Sequence, residues 1–480
     1  MSGNGFKNKK YLFLFPFIEA FSDKAYLYSR YISWGFVFLP ASVLWVLFYK
    51  AVYDYFCSLG FASFGAAFIT AYLATVSFMA ITVLNYDLDN VIYVRLRARR
   101  GDVVRFMDGA YVVYARDQHH AENAYKNIMD AIQDFVRSTP RTYKALVRPV
   151  IVIPWRVRDD TALLRRVLDH EFEHAKSPFL KTLIFVSALS FSLGMCTGIP
   201  LSIFSNSIPV FNNNFTFVII LAFIATISLL LIDYVARIPE ELRVVSRLIK
   251  RGDEDSYREL HNLVSGMSKF LSRLSLGGIS DKLFKYYLVA VLPFISLGGV
   301  PSDPAKVDSY VNDLVRDWTS HTPIVLFMLP WLLSSSLILT IMVSALLKPV
   351  SPYFPTITYL VLLASSTLVS YLLALIIRPV VSGYVGVDPL RASAWVSSSF
   401  VAVASILYPL VVFVNPLFTF AIALAALAVS VIASWTFTED WGKAVEIGVI
   451  AWLIMIALMA LVGYIAMVKV GLWRLLWGSI

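Results

Sequence analysis

Charge is scarce in this sequence. Asp, Glu, Lys and Arg make up 15% of its 480 residues against 58% hydrophobic, where a soluble domain carries about 25% charged residues. With a mean hydropathy of +0.70, that scarcity excludes an ordinary soluble globular protein and indicates a polytopic α-helical membrane protein. Cysteine is rarer still. Cys57 and Cys196 are the only two, which leaves no disulfide framework and no thiolate metal cluster. Internal repeats, low-complexity tracts, a P-loop and a glycine-rich dinucleotide motif are all missing, so phosphate-loop nucleotide chemistry has no carrier. A cleavable leader is not expected either. Residues 1–10 are polar, and the aromatic run 11–21 is interrupted by Pro16 and Glu19, a pattern that suits a segment lying along the headgroups.

What the chain does have is long apolar runs. Those at 32–49 and 60–84 are close to the roughly 20 residues that span hydrocarbon, and predict a transmembrane hairpin over 32–84 after an interfacial or cytoplasmic segment 1–31. A charge-rich stretch, 85–178, contains strand-like 110–115 and 150–153 and helix-like 122–136 and 161–176. It is expected to form a small cytoplasmic α+β domain. Runs at 179–204 and 215–235 predict a second hairpin (179–235), followed by a basic helical segment, 236–285. Further runs at 324–347, 359–377, 395–414, 417–435 and 447–468 predict a C-terminal bundle of five spans within 286–480. The shorter run 286–297, broken by Pro293, is read as not crossing, which gives about nine spans in all.

Lys and Arg concentrate before the first span, between the second and third, and after the fourth. The positive-inside rule places those regions in the cytoplasm. The net charge of +9 then reflects basic faces near anionic lipid rather than nucleic-acid binding. No ionisable residue stands near the centre of the late spans. Transporters and proton relays usually need one there, so the bundle reads as a scaffold or substrate-gathering element.

The motif with chemical content is His170-Glu171-Phe172-Glu173-His174, an H-E-x-x-H match. On a helix, residues four apart share a face, so His170 and His174 can offer imidazoles to one metal ion with Glu171 beside it. Local sequence supports the helix. Asp159, Asp160 and Thr161 are N-cap types, Leu163, Leu164, Val167 and Leu168 recur at helical spacing, and Pro178 ends it. A catalytic zinc takes three protein ligands and keeps its fourth position for water. Carboxylates on the same expected side of the membrane are Glu240, Glu241, Asp253, Glu254, Asp255 and Glu259. Glu171 has the role of general base toward the attacking water. An oxyanion partner is open among His119, His120, Arg237 and His321, and Asp169 is a candidate to orient a histidine.

The motif, the two apolar runs after it, and then Ala236-Arg237-Ile238-Pro239-Glu240 with Gly252-Asp253 beyond resemble the HtpX and CAAX prenyl protease type I family of integral-membrane zinc metalloproteases. The resemblance covers 164–253, and the bundle beyond it extends the family pattern. It implies a zincin-like domain holding one Zn2+ per chain, with Glu240 as third ligand beside His170 and His174. Val244 stands where the family pattern has an aspartate, and Asn123-Ala124-Tyr125 is matched to the family's upstream strand. The implied activity is endopeptidase cleavage at the cytoplasmic surface of a multi-pass plasma-membrane protein, with membrane lipid and membrane-protein or peptide substrates as partners, in membrane-protein quality control. Alternatives are processing of a specific membrane-bound or lipidated substrate, and a non-catalytic scaffold or transporter carrying a degenerate protease segment.

Overall fold

A computed structural model describes residues 23–115, most positions of 140–192, part of 240–251, and 303–470 with short breaks. Among the described residues, seven helices are long and apolar enough to cross a membrane: Ala25–Ser58, Gly65–Arg99, Val325–Ser344, Thr356–Ser382, Pro389–Phe413, Phe418–Thr438 and Trp441–Leu461. The apolar run 179–204 is helical at the positions described. The runs 215–235 and 286–297, and the 11–21 and 122–136 segments, lie outside the described residues. The chain divides into two compact units, Met1–Phe48 with Ser77–Ala188, and Tyr49–Val76 with Leu189–Ile480.

Helix α1 (Lys24–Ser33) runs through one π-helical stretch, Trp34–Phe38, into α2 (Leu39–Ser58), of which 39–48 belong to the first unit. The helix therefore begins ahead of the run at 32–49, because Asp23 caps it by accepting from the Ala25 backbone N–H at 3.0 Å. Helix α3 (Ser63–Arg99) extends past Leu84, where hydropathy alone ends the span. Its polar residues remain helical because several find buried neighbours on one helical stripe: Phe78, Thr82, Asn85, Asp89 and Tyr93 are each at most 3% exposed.

A four-stranded sheet follows, in the order β1 (Val103–Met107), β2 (Ala110–Tyr114), β4 (Val150–Ile153), β3 (Arg141–Tyr143). β1 and β2 form a hairpin whose turn residues, Asp108 and Gly109, both have positive φ (46° and 81°), the conformation that a two-residue Asp-Gly turn supplies. β2 and β4 are parallel, and β3 pairs antiparallel with β4. All four residues of β4 are buried, as expected of a strand covered on both faces. Alternation divides the side chains cleanly. Val113, Val150, Val152 and Tyr143 pack with Ala25, Tyr93 and Val94 of α1 and α3. Ala110, Val112, Tyr114, Ile151 and Ile153 pack on the other face with Phe172, Leu164, Val167 and Leu168 of α4 (Thr161–Lys176).

Polar contacts pin α1 and α3 to the sheet. Asp87 Oδ1 accepts from the backbone N–H groups of Val147 (3.1 Å) and Arg148 (2.8 Å), and Asn90 donates to the Arg148 carbonyl at 3.0 Å. Asp23 accepts from the hydroxyls of Tyr93 (2.7 Å) and Tyr143 (3.5 Å), while Tyr26 stacks on Tyr143 at 4.3 Å. Arg30 pairs with the buried Asp89 at 3.5 Å, and the Ser33 hydroxyl donates to the same carboxylate.

The second unit holds α5 (Val307–His321), α6 (Val325–Leu346), α7 (Phe354–Ser382), α8 (Pro389–Phe413), α9 (Phe418–Thr438) and α10 (Trp441–Val470). Helix α5 is amphipathic, burying Val307, Val311, Val315 and Thr319 at helical spacing. Asp388 caps α8, with Pro389 at its first position, and its backbone N–H donates to Thr319 Oγ1 at 2.8 Å. Small side chains set the packing inside the bundle. Ser335, Ser336, Ser393, Ser397, Ser398 and Ser399 are fully buried, and Ser397 donates to the Ser370 carbonyl of α7 at 2.7 Å, as in membrane helices that approach closely.

A candidate metal centre on the motif helix

Helix α4 has the bounds that the sequence suggests, Thr161–Lys176. At about 100° per residue, Leu164, Val167, Leu168 and Phe172 point to the sheet and fix the roll of the helix. Leu163's side chain and the cap positions Asp159 and Asp160 lie outside the described residues. Pro178 does more than end the helix. The Ser177 N–H donates to the His174 carbonyl at 3.1 Å, and a new helical stretch opens at Pro178, where proline suits a first helical position.

That roll places the motif beside the sheet-facing stripe rather than on the open side. Glu171 is 7% exposed, and His170 and His174 are half-buried. His170 Nε2 and His174 Nε2 are 3.2 Å apart, their rings at 71° with centroids 4.9 Å apart. Two nitrogens bound to one zinc at about 2.0–2.1 Å with a tetrahedral angle stand about 3.3 Å apart. The two imidazoles therefore fit two positions of a zinc coordination sphere.

Glu171 is held on its far side by Thr142 of β3, whose Oγ1 donates to Glu171 Oε2 at 2.6 Å. Sequence reasoning missed this residue. Arg141-Thr142-Tyr143 is a three-residue strand, too short for a period-2 signal.

The other expected residues fall as follows. Asp169 is exposed on α4. Glu240 belongs to the second unit and is 6% exposed, on a helical stretch where Val244 (0%) and Leu248 (4%) are also buried. Val244 thus occupies an apolar packing position. His119, His120, Arg237, Glu241, Asp253, Glu254, Asp255, Glu259 and the segment 123–125 lie outside the described residues, as does the side chain of His321. Among the described residues, no three His, Cys, Asp or Glu side chains form a group that could hold a metal ion. Comparison with protein-family models, with curated proteins and with solved structures gave no match.

Proposed function

We propose that the chain is an integral-membrane zinc endopeptidase, with a zincin-like domain in the first unit, His170 and His174 as two ligands, Glu240 as the third and Glu171 as the general base. The observation that carries this reading is the 3.2 Å separation of the two Nε2 atoms, a spacing suited to a shared tetrahedral ion, with the Glu171 carboxylate anchored next to them. When bound, zinc supplies Lewis acidity and a water acidified toward neutral pH. The chain's own residues do the rest. The Glu171 carboxylate takes the proton of the water as its oxygen attacks the scissile carbonyl carbon, then delivers that proton to the leaving amine nitrogen. Burial of Glu171 keeps bulk water from competing for that transfer.

The lysine and arginine distribution supports a site on the cytoplasmic side of a multi-pass membrane protein, and the reading proposed is cleavage of membrane proteins and their loops in quality control. Zinc content of detergent-purified protein tests the reading. About one zinc per wild-type chain is expected, lost in His170→Ala and reduced in Glu240→Ala. Glu171→Gln is expected to keep its zinc while hydrolysis of fluorescent casein stops. Zinc retained equally in Glu240→Ala moves the third ligand elsewhere, and no uptake by any variant sinks the protease.

A further inference from the structure

We propose that Thr142 is a positioning residue for the Glu171 carboxylate, an inference that rests on the protease reading and assigns a role to a strand with no motif of its own. Thr142 Oγ1 lies 2.6 Å from Glu171 Oε2 and 3.2 Å from the Glu171 carbonyl. A threonine hydroxyl has one proton, and 2.6 Å is the length of a charge-assisted O–H···O⁻ bond, so that proton goes to the carboxylate. The terminal torsion of a glutamate is broad and nearly two-fold when nothing holds it. Engaging Oε2 fixes the plane of the carboxylate.

The anchor is itself rigid. Thr142 is β-branched, which restricts its χ1, and it pairs with Ile151 of the fully buried β4. Its neighbour Tyr143 projects to the opposite face, where it stacks on Tyr26 at 4.3 Å, meets Tyr93 edge-on at 5.1 Å and donates to Asp23 at 3.5 Å. A strand of three residues would fray on its own. Here the tyrosine cluster on one face holds the threonine in place on the other.

The test uses the full chain in detergent, loaded to equal zinc occupancy, with fluorescent casein as the probe. Thr142→Val keeps the shape of the side chain and removes the hydroxyl. It is expected to lower kcat by about 10- to 100-fold with KM and zinc content unchanged, and Thr142→Ser is expected to restore most of the loss. A second readout needs no activity and no metal. In chelator-treated protein, Thr142→Val is expected to lower the thermal midpoint by about 2–4 °C when Glu171 is present, and by much less in a Glu171→Ala background, because the partner is already gone. Equal shifts in the two backgrounds, or wild-type turnover in Thr142→Val, overturn the positioning role while leaving the protease reading intact. A wild type that takes up no zinc overturns the protease reading and the catalytic sense of the contact together, and the thermal cycle then reports on the contact alone.

Discussion

Asp23 carries an unusual number of duties for one surface-type residue. It is 5% exposed, caps α1, and accepts hydrogen bonds from Tyr93 on α3 and Tyr143 on β3. Replacing it with alanine strips the cap and removes the carboxylate to which two buried phenol hydroxyls donate, a loss of about 2–4 kcal/mol. Thermal melts of Asp23→Ala should show that loss, with Asp23→Asn intermediate because it keeps the cap oxygen. This scale also marks the limit of sequence reasoning. His170, Glu171 and His174 were legible because a helix brings residues four apart together by local geometry. Thr142 was not, since its contact with Glu171 spans the sheet-to-helix gap, and nothing in the sequence shows that β3 lies beside β4.

Among the elements, the motif helix and the strands β2 and β4 could be read from hydrophobic pattern and flanking residues. β1 was missed although its turn carries the Asp108-Gly109 pair that signals a hairpin. The strand lacks alternation because Val103, Phe106 and Met107 are all exposed on it. The extension of α3 beyond Leu84 was missed for the converse reason. Asn85 and Asp89 look like solvent-facing residues yet are buried, and burial cannot be inferred from a polar side chain in isolation. In the bundle, helix approach gives a direct test. A Cβ on Gly448 of α10 would sit 2.7 Å from the Val431 Cα of α9, whereas one on Gly383 would meet nothing within 4 Å. Gly448→Ala should therefore cost about 1–3 kcal/mol, seen as a lower thermal midpoint in detergent, while Gly383→Ala should leave it unchanged.

At the scale of the whole molecule, the membrane class followed from composition, and five of the seven candidate spans lie between Val325 and Leu461. None of these five is interrupted by a buried charge among the described residues. Helix α3 has a different consequence. Its 37 residues make a rod of about 55 Å, of which hydrocarbon occupies about 30 Å, and Asp87 and Asn90 bolt the projecting part to the loop before β4. The helix is continuous from Ser63 to Arg99. When lipid thickness changes, a helix of fixed length answers by tilting, and about 10° of tilt sweeps the end of a 25 Å arm by about 4 Å. Casein hydrolysis in vesicles of short-chain and long-chain phosphatidylcholine should accordingly differ at equal zinc occupancy, and Asp87→Ala should flatten the difference. Through α3, the thickness of the surrounding bilayer becomes an input to the position of the sheet that Asp87 and Asn90 hold.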